Sequence, residues 1–269
     1  DGYNNWLNDL HWYGSNPSSA SWARADYKTI GWSELDDPVA GETGYRDWLN
    51  LTAPERDEFE LAVNDKRIMP APDQPREPGL DFRYKGASPF PESRGTYHYS
   101  FYVNTEYEEF NESSFLAPTP LVLYTEMQLT KAEGLLRQGD LAGAADIIND
   151  TRVDRGGLTP AAAGDGATLL MDRLIYESRM ENFLGCGGCA FFNARGWGTH
   201  SPTGPNHHRG LVEGTQVHFA VPGQELDILQ KLWYTYGGVG NEGGALSPSA
   251  APGMGSVGGT QVPARAIYA

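Results

Sequence analysis

Positive charge is scarce in this chain: 20 Lys and Arg stand against 35 Asp and Glu, a formal net charge of −15 over 269 residues. Nucleic-acid binding is driven by basic surfaces that displace counterions, so this balance argues against a nucleic-acid partner. It argues equally against adsorption to an anionic lipid surface. Long apolar runs are missing too, and none approaches the roughly 20 residues that cross a bilayer as a helix. Cysteine is confined to Cys186 and Cys189, a count that does not by itself fix a redox compartment. The chain opens on Asp1 and not on Met, so a signal or a longer segment is expected to have preceded it.

What the chain has in quantity is glycine, proline and aromatic residues, with 33 Gly, 18 Pro, 7 Trp and 14 Tyr. That mixture describes long ordered loops around a substantial core, not a compact all-helical bundle. Five of the seven tryptophans (Trp6, Trp12, Trp22, Trp32 and Trp48) fall in residues 1–118, separated by turn-forming clusters such as Gly14-Ser15-Asn16-Pro17. This first part reads as a loop-rich aromatic lobe. A short helix is expected near Ala53–Val63, with Thr52 as its cap and Pro54 in its first turn. Residues 69–95 read as an extended loop, and the alternation of Tyr97, Tyr99, Phe101 and Val103 reads as a short strand.

Clear helical periodicity begins at Pro120. In PLVLYTEMQLTKAEGLLRQGDLAGAADIINDTRVDRGG, Val122, Leu129, Ala132 and Leu136 share one face of a first helix. Gly139-Asp140 stops it and caps a second, whose stripe of Leu141, Ala144, Ala145 and Ile148 is narrow enough for close helix packing. A third helix is expected over Ala167–Leu184, with Leu170, Leu174, Glu177, Glu181 and Leu184 along one face. An extended piece at Val217–Val221 and a last helix near Gln224–Leu232 follow, and beyond Gly237 the chain is a Gly/Ser/Pro-rich tail. The domain reading is therefore 1–118, 119–235 and 236–269, forming one structural unit. Its class is mainly α: a tetratricopeptide-type helical hairpin plus the loop-rich lobe, with little strand. One hairpin and one further helix are too few for a self-standing solenoid, so further helices are expected in sequence outside this chain.

Glu126 and Glu133 lie seven residues apart on the face of Leu129 and Leu136, so both are expected to point inward. Buried carboxylates need partners, and Arg152, Arg155 and Arg179 supply them in an ion-pair network between helices. Glu126 with Glu133, or Glu177 with Glu181, could instead be a glycosidase pair. Two carboxyls flanking an open cleft about 5–10 Å wide are not what one packed helix face offers, and that reading is set aside. Cys186-Gly187-Gly188-Cys189 fits a small-loop disulfide if the chain is exported. Free thiols remain open, as does a redox or zinc site drawing on His200, His207 and His208. Trp12, Tyr13, Trp22 and Trp32, set among Asn, Ser and Asp, have the company of sugar-stacking rings; the competing role is core packing. The sequons at Asn50, Asn111 and Asn149 read as chance matches.

Four stretches, in order, resemble the SusD/RagB family of surface nutrient-binding lipoproteins. Glu126 and Glu133 within YTEMQLTKAEGLLRQGD, followed by AADIINDTRVDRGG, resemble the family's "E…AEA…A…N…R…R…G" signature. Ile175, Glu177, Arg179 and Glu181 resemble its "I..ERR.EL" helix, Phe191–Arg195 its "WFDLRR" segment, and His218–Leu226 its "H…PIP..E" element. Asn193 stands where the family usually has Asp, and Gly185–Cys189 where it has Glu-Gly and Arg. The resemblance covers the C-terminal half of such a protein. It implies a non-catalytic role without cofactor or metal: capture of oligosaccharide or peptide at the outer-membrane surface and delivery to a TonB-dependent SusC-like transporter. It also implies a lipid anchor upstream of Asp1. The competing expectation is an assembly subunit derived from the same fold, in which self-association or a separate N-terminal segment completes the helices.

Overall fold

The computed structural model describes residues 24–25, 27–40, 52, 55, 60–86, 100–106, 122–183, 189–197, 223–230, 233–234 and 262–263. Half of these residues, 50%, are helical, and the described architecture is mainly α. Two short helices open it, α1 (Tyr27–Ile30) and α2 (Ser33–Asp36). Strands β1 (Phe82–Tyr84) and β2 (Tyr102–Asn104) follow, then the long helices α3 (Tyr124–Gln138), α4 (Leu141–Arg152) and α5 (Gly166–Glu181). The chain divides into two units, 1–190 and 191–269. The later elements are α6 (Cys189–Trp197), α7 (Gly223–Ile228) and the pair β3 (Trp233–Tyr234) and β4 (Val262–Pro263). β3 and β4 are antiparallel, with Trp233 opposite Pro263.

The hairpin forms where its periodicity and caps put it. Gly139 takes φ 87°, a left-handed conformation that costs a Cβ-bearing residue strain. From there its N–H reaches the Leu136 carbonyl at 3.1 Å while the Asp140 N–H reaches Leu135 at 3.0 Å, closing the end of α3. The Asp140 carboxylate then accepts from the Gly143 N–H at 3.0 Å and starts α4. Leu129, Ala132 and Leu136 of α3 and Ala144, Ala145 and Ile148 of α4 are buried. Both helices pack on α5, the central element, where Leu170, Leu174, Ile175, Tyr176 and Met180 are buried. Val122 is not part of the α3 face: it precedes the first helical turn and is exposed. α5 ends at Glu181 rather than Leu184, and α7 at Ile228 rather than Leu232.

The segment before the hairpin docks on these helices through an irregular run. Residues 60–63, the end of the expected short helix, are not helical. Leu61 and Val63 are buried in alternation with less buried neighbours, as in an extended chain. Thr52 does act on a helical residue, its N–H and hydroxyl both donating to the Glu55 carboxylate at 2.6 and 2.7 Å. Turns fill residues 64–81 before β1 pairs antiparallel with β2, setting Phe82 against Asn104 and Tyr84 against Tyr102. The Tyr102 hydroxyl donates to the Pro75 carbonyl at 3.0 Å and accepts from the Leu61 N–H at 3.2 Å, tying strand to turn. Phe82 meets Phe183 edge to face at 5.3 Å, joining β1 to the end of α5. Tyr97, Tyr99, Leu184 and residues 217–221 lie outside the described residues.

Candidate functional site

Among the described residues of the first unit, buried charge is concentrated where the irregular segment meets α4 and α5. Leu61, Val63, Asp65 and Arg67 continue one alternation of buried positions from the extended residues 61–63 into the turn that follows, which inserts a carboxylate and a guanidinium after the two apolar side chains. Asp65 folds back on its own backbone, accepting from the Arg67 N–H at 2.9 Å. It also accepts from Arg67 Nε at 3.0 Å and Nη2 at 2.7 Å. The remaining Arg67 donors reach α5: Nη1 lies 2.6 Å from Glu177 Oε2 and 2.8 Å from Glu181 Oε1, and Nη2 lies 3.3 Å from Glu177 Oε1. The Arg67 side chain has no solvent exposure. Burial works against its charge, yet Asp65 and Glu177 outweigh burial and hold the guanidinium well above its ordinary value.

Two more arginines complete the network, Arg152 as the last residue of α4 and Arg155 from the turn that follows. Arg152 is fully buried; its Nε donates to the Thr159 carbonyl at 2.6 Å and its Nη1 to Asp36 of α2, with Glu177 Oε1 3.6 Å away. Arg155 grips Asp81 with Nη2 2.8 Å from both carboxylate oxygens, and its Nε reaches Glu181 at 3.1 Å. Thr151 donates to Glu177 at 2.9 Å, and the Tyr176 hydroxyl donates to Asp65 at 2.6 Å. Burial pushes the carboxyls of Asp36, Asp81 and Glu177 above their ordinary range, opposed by Arg152, Arg155 and Arg67 respectively. Burial also raises the Tyr176 phenol, with Asp65 adding to it, so the ring stays protonated and acts as a donor.

This geometry reassigns the expected network. Arg152 belongs to it, as do Arg155, Glu177 and Glu181. Glu126 and Glu133 do not point inward. They flank the buried stripe of α3 instead of lying on it, because at 3.6 residues per turn both sit roughly 70–90° round from the centre of Leu129, Ala132 and Leu136. Glu133 pairs with Arg137 one turn on, at 2.6 Å on the helix surface. Arg179 places its guanidinium 4.5 Å over the Trp32 ring. Trp32 itself is 9% exposed and lies between α1 and α2 in the chain, with Arg179 of α5 over its ring, so it does not present the open face expected of a sugar platform. Trp12, Tyr13, Trp22 and Cys186 lie outside the described residues, and the side chain of Cys189 is likewise not described.

Asp65, Arg67, Asp36, Asp81 and Tyr176 carry the network without having been singled out in the sequence. The available signal was the alternation Leu61-x-Val63-x-Asp65-x-Arg67, which places two charged residues at inward positions of an apolar run. Glu177 and Glu181, once candidate carboxyls for hydrolysis, are buried and share the same Arg67 nitrogen. Among the described residues no group of three or more His, Cys, Asp or Glu side chains is arranged to hold a metal ion. No helix among them is long and apolar enough to cross a membrane. No protein-family model, curated protein or solved structure matches the chain.

Proposed function

We propose that the chain is a SusD-like, non-catalytic nutrient-binding protein of a bacterial outer-membrane surface, presenting oligosaccharide or peptide to a TonB-dependent SusC-like transporter. One observation carries the reading. Arg152, Arg155, Glu177 and Glu181, four charged residues on which the resemblance rests, converge from α4, the turn after it and α5 on a single network. Spacings that look like a family signature thereby acquire a common physical reason: they lock the hairpin to the helix behind it. The motif is scaffold, and ligand work falls to the aromatic lobe, with Trp12, Tyr13 and Trp22 as its stacking rings and Trp32 withdrawn to the packing.

The test is binding of the folded chain to a panel of neutral oligosaccharides and peptides by calorimetry, alongside affinity capture of a transporter from the native outer membrane. Saturable binding of one ligand class is expected, weakened about fivefold or more by Trp12→Ala or Trp22→Ala, since one stacked ring contributes on the order of 1 kcal/mol or more. A folded chain that binds no member of either class and retains no TonB-dependent transporter would remove the proposal. A second reading, an assembly subunit, draws on Val122, Tyr124 and Met127, which are exposed together at the start of α3. A stable monomer by native mass measurement would rule that reading out.

A further inference from the structure

The buried network is short of positive charge. Asp36, Asp65, Asp81, Glu177 and Glu181 bring five formal negative charges against three from Arg67, Arg152 and Arg155. Among the described residues the surroundings do not make up the difference: Arg173 also acts on Asp36, but it brings the charge of Asp165 with it. From α5 itself come Arg173, paired with Asp165 across the start of the helix, and Arg179, stacked on Trp32. From the α2 side come buried Glu34 and Asp37, the latter bonded to Thr159. Lys66 lies exposed over Gly157, and Glu106 acts on Asp81 and Glu181 from the end of β2. Crowding is greatest at Arg67, where Glu177 and Glu181 meet one nitrogen at 2.6 and 2.8 Å while Asp65 occupies the other edge.

We infer that this network closes by taking up a proton: the folded chain holds at least one proton among its buried carboxyls that the unfolded chain releases, so the segment before the hairpin docks more tightly on the helices as the pH falls. The physical ground is the cost of uncompensated buried charge, which carboxyls sharing one site relieve by keeping a proton between them. The proton comes from solvent and sits on one carboxyl oxygen, turning one acceptor site into a donor. The upward displacement of Asp36, Asp81 and Glu177 from their ordinary 3.8, 3.8 and 4.5 agrees in sign. A group raised in the folded state gives stability that is complete below its unfolded value and is lost as the pH rises through the folded one. The window therefore lies above the ordinary carboxylate range. It is the reverse of acid unfolding by salt-bridged carboxylates.

Urea unfolding of the full chain between pH 5 and 8, at low salt and in 1 M NaCl, tests this. The folding equilibrium constant is expected to rise as the pH falls, by up to about tenfold per pH unit for each proton held. It should keep that slope in 1 M salt, where a Debye length of roughly 3 Å screens the overall surface charge but not the buried groups. Glu177→Gln and Asp81→Asn, which place a neutral amide where a protonated carboxyl would sit, should each flatten the slope. A constant that is flat or falls on acidification, a slope that salt abolishes, or a slope unchanged in both amide variants would overturn the inference. If neither variant folds, the salt-resistant slope of the unmodified chain decides.

Discussion

Arg67 and Glu177 are 110 residues apart in the chain, yet Arg67 Nη1 sits 2.6 Å from Glu177 Oε2 with neither side chain exposed to solvent. Every N–H of that guanidinium points at a carboxylate, so no smaller or less branched cation can replace it. Arg67→Met should cost about 3–5 kcal/mol, because it leaves Asp65, Glu177 and Glu181 buried without their counter-ion. Arg67→Lys should recover only part of that loss. Urea midpoints followed by far-ultraviolet circular dichroism measure both, and a loss under about 1 kcal/mol for Arg67→Met would contradict the network's role.

Glycine is required where two turns pass the network. A Cβ on Gly79 would stand 2.4 Å from the Ile68 carbonyl carbon and 2.5 Å from the Arg67 oxygen, both backbone atoms with no room to yield. Gly79→Ala should destabilise by at least 1–3 kcal/mol, roughly the range for overpacking. Gly164→Ala, which meets nothing nearby, is the matched control. Thermal midpoints of the two variants should separate clearly, and equal midpoints would argue against the close approach.

Trp32 is expected to behave as core. Trp32→Ala should cost about 3–5 kcal/mol, as large-to-small changes of buried aromatics do, and should free Arg179 from its ring. A variant that keeps wild-type stability but loses ligand binding would return Trp32 to the role of a platform.

Asn149 tests how firmly the turn after α4 is held. Its amide makes a reciprocal pair with Ala161, donating to the carbonyl at 2.9 Å and accepting from the N–H at 2.8 Å. Asn149→Ala should lose about 1–3 kcal/mol, since the partly buried N–H and carbonyl of Ala161 are left unmet. Hydrogen exchange at the Ala161 amide should accelerate in that variant, and unchanged exchange would count against the clamp.

The local parts of this architecture were legible in the sequence. The hairpin rests on spacings of three and four and on a Gly-Asp junction, all within a few residues of the atoms they position. The same periodicity misplaced Glu126 and Glu133, because it finds a helix face without showing which edge of that face the core covers. Asp65 and Arg67 were harder still: a charged pair in a loop gains its meaning only from α5, and nothing local to residues 64–67 names a partner more than a hundred positions later. Trp32 shows the same limit, since an indole among polar neighbours in sequence is covered in space by Arg179.

The separation that hides Arg67 from a sequence reading also sets an order on how the molecule comes to exist. At about 5–20 residues per second of synthesis, Arg67 leaves the ribosome roughly 5–20 s before Glu177 does, with only Asp65 to accompany it. The hairpin can close on its own short-range contacts in a small fraction of that interval. The nascent chain therefore waits with a cation that has one carboxylate partner made and two still to come, and the last turns of α5 are what end the wait.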